Sequence, residues 1–455
     1  GLYELISGDL GLAGQIRPVQ VQDVLGREQV EVDFQDVASY LEGHTVLVTG
    51  AGGSIGSELC RQIARVRPTR LILVDNAEGP LFEIERELVS ERDFTPAVPK
   101  LVDVKDREAM RREVFEKYRP TVVFHAAAYK HVAMLETHPL ASVRNNVVGT
   151  RVCAELSAEF GVERFVLIST DKAVNPKTVM GASKALAEWI VEVAGHTHPG
   201  TRFASVRFGN VLASSGSVVP IFRGQIERGG PVTVTHPEMT RYFMTIPEAV
   251  QLVIRAGDIG AGKGEVFVLD MGEPVKIVEV ARRMIAQAGA HIEVVFTGLR
   301  PGEKLNEVLF DLNEPDRRPH HPLISHVDVP PLHPGRVPLL DPFAPGFDLI
   351  SRLRTLCCSS GMRAYDKADA LEITSIEFDP AISEALLTIN SGRTPRVSAY
   401  SSDSSPVDPN GKRRCNDHRR WSDRDAISSC PTCGDVVDEA GEVVGMPRAS
   451  DLAVT

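Results

Sequence analysis

The chain has 455 residues, 43% of them hydrophobic and 24% charged, enough for two or three domains at roughly 150 residues each. Its 50 Lys+Arg against 61 Asp+Glu give a formal net charge of -11, which excludes a surface built mainly to neutralise phosphate backbones, and with it general nucleic-acid binding. No apolar run approaches the roughly 20 residues of a spanning helix, no signal-peptide pattern opens the chain, and the cysteines do not form a dense disulfide framework, so the chain reads as soluble and as belonging to a reducing compartment.

Composition changes near residues 44 and 355. Residues 1–43 read as an irregular lead-in with Gly8, Gly11 and Gly14 and no initial methionine; this fits a processed or trimmed chain, or the loss of a preceding segment. From His44 the pattern becomes strand (45–48), glycine turn (50–56), helix (57–65) and strand (71–74), a βαβ unit. Apolar runs at 121–124, 165–168 and 202–206 alternate with helix-period stretches at 141–160 and 183–193. The alternation predicts an α/β fold, a Rossmann-like doubly wound parallel sheet covered on both faces, over residues 44–206. Residues 207–354, with a strand-like 231–235 and a helix at 247–256, read mainly as a smaller α/β substrate-binding lobe. Beyond residue 355 apolar residues thin out, and 355–455 reads as a largely disordered tail in which 366–387 keeps some periodicity.

Gly50-Ala-Gly-Gly-Ser-Ile-Gly56 follows a strand and opens a helix. Gly50, Gly53 and Gly56 let backbone approach a pyrophosphate, with Ser54 and Ile55 in the first helical turn. Asp75 ends the next strand about twenty residues on, where a carboxylate accepts hydrogen bonds from ribose hydroxyls, favouring NAD over NADP; the alternative is a turn started with Asn76. Asp103 is a candidate for the adenine or, equally, a strand-end cap.

His125-Ala-Ala-Ala-Tyr-Lys-His131 places Ala126 and Ala127 where a nicotinamide ribose would pass, unless the alanines serve only packing. Ser169-Thr-Asp-Lys172 follows a strand and sets a hydroxyl, a carboxylate and an amine at a carboxyl end of the sheet, where open α/β folds bind ligands. Thr170 or Asp171 could cap a helix, which leaves Lys172 unexplained. Lys184, one helical turn beyond Met180, is within reach of a cofactor ribose.

These motifs, with Arg207-Phe-Gly-Asn210 and its continuation to Pro220, Met239-Thr-Arg241 and its continuation to Thr245, and Arg300-Pro-Gly-Glu-Lys304, resemble the extended short-chain dehydrogenase/reductase superfamily. More narrowly they are similar to the polysaccharide-biosynthesis nucleotide-sugar dehydratases, of the UDP-N-acetylglucosamine 4,6-dehydratase type. The resemblance covers roughly residues 15–312. Residues 17–27 look like the segment that joins transmembrane helices to the catalytic domain in long members; this implies a domain on the cytoplasmic side of the inner membrane, anchored through a segment absent from this chain. Most superfamily members have a tyrosine where this chain has Met180, and a thioether is neither acid nor base; the long dehydratases share the methionine.

The resemblance implies an internal redox cycle in which hydride leaves sugar carbon 4 for NAD and returns at carbon 6. Lys172, neutral when it acts, would take the carbon 5 proton; Asp171, held protonated by burial, would protonate the departing carbon 6 hydroxyl; Thr170 and a water would handle the carbon 4 hydroxyl. Arg241 and Arg300 would hold the substrate diphosphate, Asn210 a phosphate or uridine group, with Lys130, His131 and Glu303 also facing substrate; Glu303 and Lys304 could instead pair locally. The UDP-sugar is the implied partner, and self-association is common in the family. Inversion at carbon 5, plain 4-epimerisation, or a non-catalytic nucleotide-sugar-binding regulator are the alternatives, and Asp171-Lys172 argues for elimination. In the tail, Cys415, His418, Cys430 and Cys433 have zinc-like spacing, against an unstructured extension or an altered reading frame; this zinc site would be the basis of a third alternative, an interaction module.

Overall fold

The computed structural model describes residues 39–329 apart from 213, 215, 261, 300–302, 312–313 and 328, together with three short strands near the C-terminus. Its centre is a nine-stranded sheet. In chain order the strands are β1 Thr45–Thr49, β2 Arg70–Asp75, β3 Ala97–Leu101, β4 Val122–His125, β5 Arg164–Ile168, β6 Arg202–Arg207, β7 Lys263–Leu269, β8 Arg317–His321 and β9 Ile324–Val327. Across the sheet they run β8-β9-β7-β6-β5-β4-β1-β2-β3. The seven from β3 to β7 are parallel, and the β8–β9 hairpin is added antiparallel at one edge. The order reverses between β1 and β4, the place where doubly wound sheets open a crevice for ligands.

Helices α1 Ser54–Arg65 and α6 Ile246–Ile259 cover one face, where Val46, Val48, Leu71, Leu73 and Phe124 pack against Leu59, Ile63, Val250 and Val253. Helices α3 Gly149–Glu159 and α4 Val179–Thr197 cover the other. Central strands buried on both faces read as continuous apolar runs, which is why 71–74 and 165–168 were visible without alternation. The expected helix at 141–160 is three pieces, a turn at Pro139–Ser142, a π-helical stretch Val143–Val148, and α3.

The large sheet continues beyond residue 207. Helix α6, strand β7 and the β8–β9 hairpin return to the large domain, so the lobe is discontinuous in sequence. Val266 to Leu269 is an apolar run fully buried between β6 and β9, masked in the sequence by the glycines around it. Gly264 (φ +76) is there because α4 passes so close that a Cβ would lie 2.3 Å from the Cα of Glu192.

The lobe proper joins α5 Val218–Glu227 and α7 Ile277–Gln287 to a parallel pair of strands, Val232–Val234 and Val294–Phe296. Val219, Phe222, Ile226, Val232, Val234, Phe243, Val280 and Met284 form its own core. Residues 385–455 form a second unit, in which the described part is a small antiparallel sheet of Ser428–Ser429, Val436–Val437 and Val443–Gly445. Most of the tail, the periodic stretch 366–387 and the candidate zinc ligands Cys415, His418, Cys430 and Cys433 lie outside the described residues. Among the described residues no helix is long and apolar enough to cross a membrane.

Candidate active site

The turn after β1 is built around close approach. Gly50 (φ +66) packs on the strand-end residues Ala126 and Ala127, where a Cβ would come within 2.7 Å of the Ala127 backbone. A Cβ on Gly56 would lie 1.9 Å from the Gly50 carbonyl oxygen, so the first turn of α1 can sit against the loop only as glycine. No side chain caps α1 at Gly53, and Gly53, Ser54, Ile55 and Gly56 line the cleft. An uncapped helix N-terminus in a glycine cradle offers backbone N–H groups and the positive end of the helix dipole to an anion.

Asp75 does two things at once. Its Oδ2 accepts from the Gly52 N–H at 2.9 Å and its Oδ1 from the Ala77 N–H at 3.0 Å. It thus fixes the loop and makes the local turn that was the alternative reading, while remaining at the strand end where a ribose would lie. Asp103 accepts from both the backbone and the ammonium of Lys105; burial pushes its pKa up, and these bonds outweigh that and hold the carboxylate below its ordinary range.

Strand β5 delivers the second half of the site. After Ile168 the chain turns through a single 3₁₀ turn, Asp171–Ala173, capped by Thr170. Asp171 is fully buried; its Oδ1 accepts from the Thr170 hydroxyl and from Lys172 Nζ, each at 2.9 Å, and its Oδ2 has no hydrogen-bond partner among the described residues. Lys172 Nζ also donates to Asn210 Oδ1 at 3.0 Å. Thr170, Lys172 and Asn210 line the cleft and Asp171 lies behind them. Gly209 allows this packing, since a Cβ there would be 3.2 Å from Asp171 Oδ2 and 3.0 Å from Tyr242 Cβ.

Helix α4 starts beside this turn, capped by Thr178. Met180 is buried at the cleft wall, and Lys184, one turn on, donates from Nζ to the Ile168 carbonyl at 2.6 Å. Burial pushes the Lys184 pKa down to about 8, with Glu188 opposing the shift.

Opposite stand the lobe residues. Arg241 lines the cleft, yet its guanidinium donates to three carbonyls, those of Thr240, Leu305 and Lys304, and stands 3.8 Å from Glu303. Lys304 does not pair with Glu303; it reaches the Val174 carbonyl at 2.7 Å and Glu307 at 3.6 Å. Lys130 and His131 are exposed at the rim, where the His131 ring packs on Gly216 (φ +69) of the facing segment. Arg300 lies outside the described residues.

One cleft of about 1250 Å³ joins these parts, running from Gly53 past Ala126, Thr170 and Met180 to Asn210, Arg241 and Glu303. Sequence reasoning missed the charges beneath it. Glu188, buried in α4, accepts from Arg207 Nε and NH2 and from the Ser169 hydroxyl, and Arg207 NH1 donates to Glu314. The spacing of Glu188 four residues after Lys184 was the available signal, since it sets both on one helix face. Asn146, also missed, clamps the backbone N–H and carbonyl of Tyr129 and donates to Ser183 in α4.

Comparison with known proteins agrees with this geometry. Residues 46–328 match the family described as polysaccharide biosynthesis protein. The chain is 49% identical over 317 residues to the capsular polysaccharide biosynthesis protein CapD of Staphylococcus aureus, covering 69% of this chain and 52% of CapD. It is 52% identical over 308 residues to the probable polysaccharide biosynthesis protein EpsC of Bacillus subtilis, covering 66% and 51%. It therefore spans about half the length of these curated relatives. Among solved structures, Pen from Bacillus thuringiensis superposes with a TM-score of 0.58 at 29% identity, covering 64% of this chain and 90% of that one. The Rossmann-type sheet, the motif set and the matched span together make this chain a member of the polysaccharide biosynthesis protein family within the extended short-chain dehydrogenase/reductase superfamily.

Proposed function

We propose that this chain carries the catalytic domain of a nucleotide-sugar 4,6-dehydratase that converts UDP-N-acetylglucosamine, with retention at carbon 5, into its 4-keto-6-deoxy product for surface polysaccharide or glycan synthesis. The observation that carries the reading is the Asp171–Lys172 pair at the end of β5, opening onto the cleft that the glycine loop also lines. An acid–base pair of this kind has work to do in elimination; a simple epimerisation would not need it. We further infer self-association and, in the whole protein, a place on the cytoplasmic side of the inner membrane.

The residues fit NAD. The cradle that any Cβ at Gly56 would fill, the uncapped N-terminus of α1, and a carboxylate at Asp75 suit a pyrophosphate and an unphosphorylated ribose. Reversible hydride acceptance is the chemistry that NAD supplies when bound. Lys184, one turn after Met180 in the cleft wall, would hold a ribose hydroxyl, and Ala126 would keep that wall low, with Ala127 against Gly50.

The proton steps fall to this chain's own side chains. Thr170 and Lys172 both donate to Asp171 Oδ1, so in this reading Asp171 begins as a carboxylate rather than held protonated, and a proton lost from the carbon 4 hydroxyl passes through the threonine, or a water beside it, to that carboxylate. Asp171 stores it and returns it to the hydroxyl leaving carbon 6, which departs as water. Lys172 removes the carbon 5 proton once carbon 4 is a ketone, and gives it back to the same face. The protein ends the cycle with the protons it began with. Arg241, Arg300, Asn210, Lys130, His131 and Glu303 are the proposed substrate contacts.

The test is to incubate the purified chain with UDP-N-acetylglucosamine, without added reductant, and follow the sugar nucleotide by mass spectrometry. Loss of one water, abolished in Lys172→Ala, is the expected outcome. A product of unchanged mass with altered configuration would replace dehydration by epimerisation, and no change across a panel of UDP-hexosamines, with NAD bound, would leave a binding protein.

A further inference from the structure

The described residues 303–311 and 314 form a strap between the lobe and the catalytic turn, bonded at Lys304 and Asp311 to the residues that follow that turn. Lys304 Nζ donates to the carbonyl of Val174 at 2.7 Å, and Asn175, in the left-handed region (φ +42), donates from Nδ2 to Asp311 Oδ1 at 3.0 Å. From the lobe, Arg241 grips the strap backbone at Lys304 and Leu305. At its far end Glu314 takes Arg207 NH1 with both oxygens, at 2.9 and 2.8 Å. Lys304 is mostly buried and does not line the cleft. An ammonium mostly withdrawn from solvent and outside the cleft lining, held against the loop that carries the acid–base pair, needs a task.

We propose that Lys304 is a positioning residue for the Asp171–Lys172 pair, pinning the turn through Val174 and setting a second positive charge beside the buried carboxylate. The inference rests on the dehydratase reading above. The Val174 N–H in turn donates to the Asp171 carbonyl at 3.1 Å, so the pinned residue closes the same turn. The charged groups around the ammonium among the described residues lie on three sides. Glu307 faces it from the strap, Asp171 and Lys172 from the turn; the Glu303–Arg241 pair lies toward the lobe; Tyr242, with Glu273 near it, faces Asp171. Burial pushes the Lys304 pKa down, Glu307 and Asp171 oppose this, and Lys172 adds to it, the signature of two ammoniums sharing one field. A positive charge at 304 makes it easier for the turn to release a proton, which is what a base at Lys172 requires.

Lys304→Gln keeps a donor for the Val174 carbonyl and removes the charge; Lys304→Arg keeps both. The glutamine variant is expected to lose about tenfold in kcat at neutral pH, its acid limb moving up by roughly one pH unit, with KM for the UDP-sugar within about twofold. Arginine should restore the limb. Glu307→Gln, which removes the anion 3.6 Å from the ammonium, should move the limb the opposite way, and it carries the test if Lys304→Gln does not fold. Equal losses in the glutamine and arginine variants with an unmoved limb, or a change confined to KM, would overturn the proposal. If the wild-type chain turns over no UDP-hexosamine, the dehydratase reading fails, and the strap is read directly from acetylation of Lys172 by trace acetic anhydride at about pH 8. A severalfold lower extent in Lys304→Gln supports the inference; equal extents in both chains refute it.

Discussion

Arg207 and Glu188 meet in a two-pronged ion pair, Nε to Oε1 at 2.9 Å and NH2 to Oε2 at 2.7 Å, with both side chains out of solvent. The pair ties β6 to α4, and the Ser169 hydroxyl adds β5, one residue before Thr170. Removing Glu188 leaves the buried Nε and NH2 of Arg207 without their acceptors while NH1 alone keeps Glu314, so the cost exceeds the strength of the bonds. Glu188→Ala is expected to destabilise the fold by about 3–5 kcal/mol, read from urea unfolding. A loss below about 1 kcal/mol would mean that water already screens Arg207.

The glycine cradle makes a prediction that separates fold from cofactor. In Gly56→Ala the new Cβ would lie 1.9 Å from the Gly50 carbonyl oxygen, so the loop must move. Gly79, in α2 Glu78–Arg86 just after Asp75, has nothing within 4 Å of its added Cβ. Gly56→Ala should retain at least about tenfold less dinucleotide after purification, about 1.4 kcal/mol or more of binding, while Gly79→Ala should bind normally and gain up to about 1 kcal/mol in stability. Chromatography of nucleotide released on denaturation reads the first effect and thermal unfolding the second.

How much of this was legible beforehand depends on what kind of signal each feature leaves. The parallel sheet was readable because Leu71 to Val74 and Phe165 to Ile168 are continuous apolar runs, and only burial on both faces accounts for such runs. The positions of Gly56 in a glycine turn and of Asp75 and Lys172 just at or after strand ends were readable because turn chemistry and strand-end position are local. Strand β7 was not, since the three glycines before Glu265 read as loop until α4 is known to press on Gly264. Nor was the occupation of Arg241 by the Lys304 and Leu305 carbonyls, because a partner some sixty residues away leaves no trace in local pattern. The Arg207–Glu188–Glu314 cluster was hidden for the same reason.

A pH dependence follows from His125. Its ring is buried between the Thr49 and Thr150 hydroxyls, at 2.7 and 3.1 Å. Burial pushes its pKa down to about 3, and the Lys184 ammonium adds to the shift. The unfolded chain takes up a proton near pH 6.5, where the folded chain cannot. Below that point the unfolded state binds more protons, so stability is lost as pH falls, by at most about 1.4 kcal/mol per pH unit, until the folded histidine itself protonates. From pH 6.5 to 5 the contribution is about 1.6 kcal/mol. Unfolding midpoints measured across that range should fall in the wild-type chain and less steeply in His125→Gln; equal slopes would assign the acid sensitivity to other groups.

Asn210 tests how far Lys172 depends on being aimed. Its Oδ1 is one of two acceptors on the ammonium, the other being Asp171 Oδ1. Lys172→Ala should remove the base and about 10²–10⁴-fold in kcat. Asn210→Ala keeps the base and removes one hydrogen bond, an expected loss of about tenfold. Equal losses would make Asn210 part of the chemistry rather than a guide to it.

Arg241 poses the sharpest contrast between sequence and structure. A guanidinium reserved for a diphosphate would affect substrate affinity and little else. In this fold NH1 and NH2 already hold the carbonyls of Thr240, Lys304 and Leu305, and through them the strap. Lysine in its place keeps the charge and loses the fork, so it can satisfy at most part of that set. Arg241→Lys is therefore expected to lower stability by about 1.5–3 kcal/mol, the range for a hydrogen bond to a charged group, and to lower kcat as the strap loosens from the turn that carries Lys172. Thermal unfolding and steady-state kinetics on the same preparation decide the matter. A raised KM with unchanged stability and kcat would return Arg241 to the role of a phosphate ligand alone.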